Sequence, residues 1–279
     1  MGPSALRIAQ LEHRLRALGY PVDDRGNLIV DQREQLTGSG DDTVAAIARV
    51  CRQLADATAD AVRDGATPLV LGGDHALAMG SVAGVATALA ERGERLGVIW
   101  LDAHGDINTP TTSASGNVHG MPVAHLVGLG DPRLSGIATP QPAVLPEHLV
   151  MVGIRDLDPP EREHIRAMGI STFTMRDIDE RGLQSVMADA IAIASHGTGG
   201  IHVSCDPDWI DPIEAPGVGT PVRGGATFRE GHLALEMVAD AGRLVSMDLV
   251  EINPVLDERN RTATLAVDLV ISAFGARIL

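Results

Sequence analysis

Nearly continuous apolar runs recur along the chain and predict buried β-strands. They are rich in Val, Leu and Ile, and they lack the regular apolar–polar alternation of a strand with one wet face. Such runs are typical of parallel strands that helices cover on both sides. The five predicted strands span residues 67–72, 96–101, 148–153, 200–205 and 244–250.

Helical periodicity fills the intervals between these strands. Gly19 and Gly65 stand where C-terminal helix caps are expected, because glycine readily adopts the left-handed backbone that ends many helices. Strands alternating with helices predict a single α/β domain over residues 1–279, with a mainly parallel sheet between two helical layers. The predicted helices span residues 4–18, 42–64, 77–91, 160–168, 180–195, 229–241 and 259–275.

Composition narrows the range of functions. Aromatic residues make up 2% of the chain, and the net charge is −15 with a pI near 4.9, so neither base stacking nor a basic surface favours nucleic acid as a partner. Cys51 and Cys205 lie far apart in apolar segments, which favours reduced, buried thiols. The sequence shows neither a signal peptide nor a membrane-spanning run, and we therefore expect a cytoplasmic protein.

Potential metal ligands follow three of the predicted strands. In extended backbone alternate side chains point to the same side, so ligands at alternate positions can converge. Buried carboxylates at the end of an apolar sheet are unfavourable unless cations neutralise them. A lone Asp-x-Asp is more often a turn, and Asp-x-His-x-Asp after a strand is as often a metal site as not, whereas three such segments on one sheet indicate a metal site. Asp and His ligands without a thiolate suit Mn²⁺. The candidate ligands are His75, Asp102, His104, Asp106, Asp206 and Asp208.

Four ordered segments stand at or just after the ends of predicted strands, at residues 72–75, 102–106, 204–212 and 251–254. They resemble the signature sequences of the ureohydrolase family, which comprises arginases, agmatinases and formiminoglutamases. The resemblance extends from about Gly2 to the C-terminus. Residues 115–122 and 215–221 are more similar to arginases than to agmatinases, which vary in the first of these loops because their substrate lacks an α-carboxylate.

The resemblance implies a binuclear site with two Mn²⁺ per chain and an assembly into homotrimers or homohexamers. A hydroxide that bridges the two ions would be available near neutral pH, because the cations lower the pKa of a bound water. The implied ligands divide into three pairs: His75 and Asp106 on one ion, His104 and Asp208 on the other, and Asp102 with Asp206 bridging both.

The resemblance further implies that the substrate is L-arginine, which is cleaved to L-ornithine and urea. Glu251 would hold the guanidinium group by a charge-assisted, bidentate contact and stabilise the tetrahedral adduct. Asp106 would pass on the proton of the attacking hydroxide, and His119 would exchange protons with solvent. The remaining implied substrate contacts are Asn108, Ser115 and Asn117 at the α-carboxylate, Asp158 at the α-amino group, and Thr220 in the pocket wall.

The chain departs from the family pattern in three places. Ala76 stands where many relatives carry a hydroxyl after the ligand histidine, and we expect it to affect the metal site only indirectly. Family sequences normally begin with a strand and a loop ahead of the segment that starts here at Met1, so we expect the sheet to lack that strand and to expose an edge. Pro207 stands between Asp206 and Asp208, where it cannot donate to a sheet ladder and restricts the preceding residue. It either ends the strand without consequence or displaces Asp208.

Three alternatives to an arginase remain open from the sequence. An agmatinase, or another ureohydrolase of guanidino compounds, would not need carboxylate-binding donors in residues 108–119. A relative impaired by the lack of the first strand would not be expected to keep all six ligands together with Glu251 and His119. A mononuclear zinc deacetylase would need fewer ligands than are present.

Overall fold

The sheet of this protein is entirely parallel and contains six strands among residues 1–31 and 40–277, which the computed structural model describes. The strands are β1 (Leu69–Leu71), β2 (Leu96–Leu101), β3 (Leu149–Ile154), β4 (Ser171–Thr174), β5 (Gly200–Cys205) and β6 (Leu244–Leu249). The three strands β2, β3 and β5 are buried at every position, as the apolar runs predict.

The order across the sheet is β1-β6-β5-β2-β3-β4. From β2 the chain proceeds outward to β3 and β4, whereas from β5 it proceeds in the opposite direction to β6. This reversal opens a crevice between the carboxyl ends of β2 and β5, where sheets of this type bind ligands. The register pairs Leu101 with Cys205, so Asp102 and Asp206 leave the sheet side by side.

Helices cover both faces of the sheet. Alternation along β2 sends Val98 and Trp100 into one apolar core and Ile99 and Leu101 into the other, and all four are fully buried. Each such side chain stabilises the fold by about 1.5–3 kcal/mol relative to exposure. The helices are α1 (Gly2–Ile8), α2 (Leu11–Ala17), α3 (Gly40–Arg63), α4 (Ala78–Ala90), α5 (Pro122–Leu126), α6 (Pro132–Ser135), α7 (Pro159–Met168), α8 (Met175–Arg181), α9 (Leu183–Ser195), α10 (Phe228–Ala241) and α11 (Arg261–Ala273).

The α/β class and the five predicted strands are confirmed, and so are the caps at Gly19 and Gly65, whose φ angles are 94° and 77°. The helix predicted over 4–18 is wrong as a single element, because Gln10 has a φ of 65° and separates α1 from α2. The helix predicted over 180–195 is likewise divided at Gly182, where α8 ends and α9 begins. Strand β4 and the short helices α5, α6 and α8 were not predicted.

Residues 1–31 contain α1 and α2 and no strand, so within the described residues β1 forms one edge of the sheet and pairs with β6 alone. The predicted extent of the domain, 1–279, includes residues 32–39 and 278–279, which lie outside the described residues. None of the described helices combines the length and the apolar character that a membrane span requires.

Candidate metal centre and substrate site

His75 stands at the carboxyl end of β1 and faces three of the predicted carboxylate ligands. Its Nδ1 atom lies 3.1 Å from Asp102 Oδ2 and 3.1 Å from Asp106 Oδ2. The same atom lies 3.8 Å from Asp206 Oδ2. The imidazole is buried, and within the described part of the chain its Nδ1 has no hydrogen-bond partner of acceptable geometry. A buried nitrogen lone pair among carboxylates is suited to a cation.

His104 forms the second half of the centre. Its Nδ1 atom lies 3.0 Å from Asp208 Oδ2 and 3.3 Å from Asp102 Oδ1. Asp102 therefore presents one oxygen to each histidine. Two ligand groups result, each with atoms within 4.8 Å of one another: His75, Asp102 and Asp206, and Asp102, His104 and Asp208. The donor set fits two divalent cations that prefer oxygen and imidazole ligands.

The electrostatics of the centre also favour cations. Burial raises the pKa of Asp106 to about 7 and that of Asp208 to about 6, and the charge of Asp102 adds to both shifts. Burial and the neighbouring Asp208 raise the pKa of Asp206 well above its usual range. Burial lowers the pKa of His104, but the contacts with Asp102 and Asp208 outweigh it and raise the value to about 12. These carboxyls resist ionisation together unless positive charge compensates them.

The candidate ligand side chains are oriented by turns that follow the strands and not by a continuation of the extended backbone. The sequence-based expectation of extended backbone after the strands is wrong in detail: Asp106 has a φ of 50°, and Asp208 lies in the 3-10 turn Pro207–Trp209. At each strand end an aspartate accepts the main-chain N–H two residues further on, which closes a local turn. These bonds run from His104 N to Asp102 (2.7 Å), from Asp208 N to Asp206 (2.9 Å) and from Ala76 N to Asp74 (3.1 Å).

Pro207 does not displace its neighbouring ligand. It occupies the first position of the 3-10 turn, where no ladder bond from its nitrogen is required. Asp206 has φ −91° and ψ 121°, in the β region that a residue before proline prefers. The carboxylate of Asp208 lies in contact with His104. Of the two outcomes expected for Pro207, the structure therefore shows that it ends the strand without moving Asp208 away from the other ligands.

Glu251 and His119 lie beside the centre. Glu251 Oε1 accepts a hydrogen bond from the backbone N–H of His75 at 2.9 Å and lies 3.1 Å from His119 Nδ1. This contact raises the pKa of His119 against the opposing effect of burial. Glu251 also has a φ of 55°, a conformation that is rare for residues with a side chain and concentrated at functional sites.

The residues predicted to recognise the substrate head group divide into two sets. Asn108 Nδ2 donates to Asp158 Oδ2 at 2.9 Å, so an amide and a carboxylate lie side by side at the rim. Ser115 and Asn117 lie on the exposed loop that follows, where Ser115 Oγ accepts from the backbone N–H of Asn117 at 3.2 Å. Thr220 donates to Asp208 Oδ2 at 3.3 Å, which brings it to the metal ligands themselves.

Sequence reasoning missed the side chains that hold the ligands in place. Trp100 donates Nε1–H to Asp102 Oδ2 at 3.0 Å and stacks on His75, with 4.0 Å between ring centroids. Ser204 Oγ lies 2.7 Å from His75 Nε2. One sequence feature could have indicated these contacts: Ser204 and His202 place a hydroxyl and an imidazole within a strand that is otherwise apolar.

Comparison with known proteins identifies the family. The sequence model of the Arginase family matches residues 1–275. The arginase of Bacillus caldovelox is 48% identical over 282 residues, covering 100% of this chain and 93% of that protein. The arginase of Brevibacillus brevis is 47% identical, with the same coverage. The crystal structure of arginase from Bacillus cereus has a TM-score of 0.93 and 46% identity, and it covers 100% of this chain and 93% of that one. The relationship predicted from the sequence motifs is confirmed, and the chain belongs to the arginase family.

Proposed function

We propose that this chain is an arginase, a hydrolase that cleaves the guanidinium group of L-arginine to give L-ornithine and urea. The proposal rests on one observation: all six candidate ligand side chains and Glu251 meet at the carboxyl ends of the strands, in a chain that belongs to the arginase family. We also propose that the cations are two Mn²⁺ per chain, because carboxylate and imidazole ligands suit this ion.

Two bound cations supply an activated water for attack on the guanidinium carbon near neutral pH. The side chains perform the other parts of the reaction. Glu251 offers a carboxylate to the planar guanidinium group, whose N–H donors match it in a bidentate contact. As the carbon becomes tetrahedral, the attacking hydroxide neutralises the delocalised positive charge, and the fixed carboxylate keeps accepting hydrogen bonds from the amino groups and so holds the adduct in position.

Proton transfer falls to Asp106 and His119. Asp106 accepts the proton released at the attacking oxygen and passes it on, because its carboxylate lies within the ligand cluster, 3.1 Å from His75 Nδ1. The C–N bond to the departing amine of ornithine then breaks, and that nitrogen takes up a proton. His119 contacts Glu251, and its side chain is 33% exposed. It can therefore exchange protons between the active site and solvent.

The rim favours an amino acid over agmatine. The Asn108 amide beside the Asp158 carboxylate presents a donor next to an acceptor, which complements the α-carboxylate and α-ammonium groups of arginine. Ser115 and Asn117 add donors on the adjoining loop. Agmatine has no carboxylate, so these donors would lose their partner.

We further propose that the protein acts in the cytoplasm and, as the sequence resemblance implies for its assembly, that it forms a homotrimer or homohexamer. The two cysteines are buried and unpaired with each other, which agrees with a reducing compartment.

The direct test is urea release from L-arginine and, separately, from agmatine by the purified chain with Mn²⁺, alongside samples treated with EDTA. We expect urea from arginine alone and its loss with EDTA. Urea from agmatine alone would retain the metal chemistry and overturn the substrate. Two bound Mn²⁺ without urea from either compound would overturn the enzymatic role, and the absence of bound metal would overturn the binuclear centre.

A further inference from the structure

Strands β5 and β6 carry an unusual row of polar side chains inside the protein. The register places His202 opposite Ser246 and Ser204 opposite Asp248, on the face of the sheet that α4 covers. All four residues are at most 1% exposed. Parallel strands covered on both faces are normally apolar, and buried polar groups are unfavourable unless fully hydrogen-bonded.

The row forms a continuous chain of hydrogen bonds that ends at a metal ligand. Ser204 donates to Asp248 Oδ1 at 2.6 Å, and its oxygen lies 2.7 Å from His75 Nε2. His202 Nε2 lies 3.1 Å from Asp248 Oδ2, which also accepts from Ser81 at 2.6 Å. We refer to Ser204, Asp248 and His202 as the relay.

The relay determines which nitrogen of His75 carries a proton. Because the hydroxyl hydrogen of Ser204 is given to Asp248, its oxygen accepts the N–H of His75 Nε2. The other nitrogen, Nδ1, is then left with its lone pair directed at Asp102 and Asp106. A carboxylate behind a ligand histidine fixes its tautomer and orientation and raises its basicity, and here the carboxylate acts through one hydroxyl.

The second ligand histidine has no equivalent support. Within the described residues, the side-chain contacts of His104 are those of Nδ1 with Asp102 and Asp208, and the side chain is 24% exposed. The two halves of the centre therefore differ in how strongly the protein holds their imidazoles.

We propose that Asp248 and His202 are positioning residues for His75: through Ser204 they hold its imidazole ready to bind a cation and thereby set the affinity of one of the two metal sites. This inference rests on the proposed binuclear centre. Asp248 supplies the fixed negative end of the relay, and His202 anchors that carboxylate from the far side, supported by Ser246 at 2.8 Å.

The test compares Mn²⁺ binding to wild type, Asp248→Asn and Ser204→Ala by calorimetric titration of the metal-free proteins. We expect both variants to bind one Mn²⁺ as wild type does and the other about 10- to 100-fold more weakly. At one equivalent of Mn²⁺, electron paramagnetic resonance should show an isolated ion in the variants. A second equivalent should restore the spectrum of a coupled pair.

A matched control separates the relay from buried hydroxyls in general. Ser272→Ala removes another buried serine that bonds to a histidine, His232 at 2.8 Å, but on α11 in the opposite helical layer. We expect this variant to bind both ions with wild-type affinity. The melting temperatures of the metal-free proteins are measured in parallel, and Ser204→Ala decides the question if Asp248→Asn does not fold.

Two outcomes would overturn the inference. One is wild-type affinity at both sites in Ser204→Ala and Asp248→Asn. The other is an equal loss at both sites together with a lower melting temperature of the metal-free protein, which would indicate a structural role only. If the wild-type chain itself binds no Mn²⁺, the proposed function fails as well, so the two failures are distinguishable.

Discussion

At the scale of single residues, the site depends on two strained backbone positions. Asp106 and Glu251 adopt left-handed conformations, with φ of 50° and 55°. Each such residue costs about 1–3 kcal/mol and persists only where surrounding contacts impose it. For Glu251 those contacts are its N–H, which donates to Gly73 O at 2.8 Å, and its carboxylate, which accepts the N–H of His75. The strain directs the carboxylate toward the metal ligands.

Replacing Glu251 by Gln tests its role with little change of shape. Gln retains an oxygen that accepts the backbone N–H of His75 but loses the negative charge. We expect kcat/KM for L-arginine to fall by about 100- to 1,000-fold, the magnitude typical for loss of one preorganised stabilising group. Metal content, measured by atomic absorption, should remain at the wild-type value. Near wild-type turnover in this variant would contradict the assigned role.

At the scale of elements, helix α7 fixes the loop that we propose to recognise the substrate. Glu161 accepts the N–H of Ile107 at 3.1 Å and that of Asp158 at 2.9 Å. His164 Nδ1 bonds to Ile107 O at 2.9 Å. Residues 158, 161 and 164 are spaced by three and share one face of the helix. The first turns of α7 therefore hold both the loop that carries the candidate ligand Asp106 and Asp158, the residue proposed to contact the substrate head group.

Asp158→Asn should weaken substrate binding more than chemistry. The amide can still accept the hydrogen bond from Asn108, but it no longer attracts an α-ammonium group. A charge-assisted bond is worth about 1.5–3 kcal/mol, so we expect KM for L-arginine to rise about 10- to 100-fold with a smaller change in kcat. Glu163→Gln removes one charge from an exposed position of the same helix and should leave both constants unchanged. An unaltered KM in Asp158→Asn would argue against the head-group assignment.

Element type was predictable where the sequence pattern was strong. Five strands follow from apolar runs because both of their faces are covered. Strand β4 escaped prediction because it is a half-buried edge strand of four residues in which three are Ser or Thr. The six candidate ligands could be proposed from Asp and His residues that follow three apolar strands, but the relay could not be predicted. Its contacts depend on the register between β5 and β6, two strands about 40 residues apart along the chain.

At the scale of the whole molecule, sheet order assembles the site. Each of the four neighbouring strands β1, β6, β5 and β2 is followed by a residue of the candidate site. His75, Glu251 and Asp206 follow the first three, and Asp102 follows the fourth. These residues come from distant parts of the chain, so the site forms only when the sheet has formed. Metal binding should therefore be coupled to global folding.

The stabilisation that Mn²⁺ provides should increase with pH. In the metal-free protein the pKa values of Asp106 and Asp208 are raised, to about 7 and about 6. Their protonated forms favour the fold at low pH, and this contribution is lost as pH rises through those values. Cations replace the protons, so they compete poorly at low pH and well above pH 7.

We expect the difference in melting temperature between Mn²⁺-loaded and metal-free protein to grow from about pH 5 to about pH 8. Taking the difference cancels groups remote from the centre, such as the buried His125, whose pKa is lowered by burial. Asp106→Asn should flatten this pH profile. A difference that stays constant or shrinks over the interval would contradict the electrostatic account of the centre.

The stacking of Trp100 on His75 has an optical consequence. The chain contains only two tryptophans, and the other, Trp209, directly follows Asp208; both are fully buried. Because every indole in the protein adjoins a metal ligand, all of its intrinsic tryptophan emission originates beside the centre. Paramagnetic Mn²⁺ bound there should quench that emission. The intrinsic fluorescence of the unlabelled protein should therefore report the fraction of metal sites that are occupied.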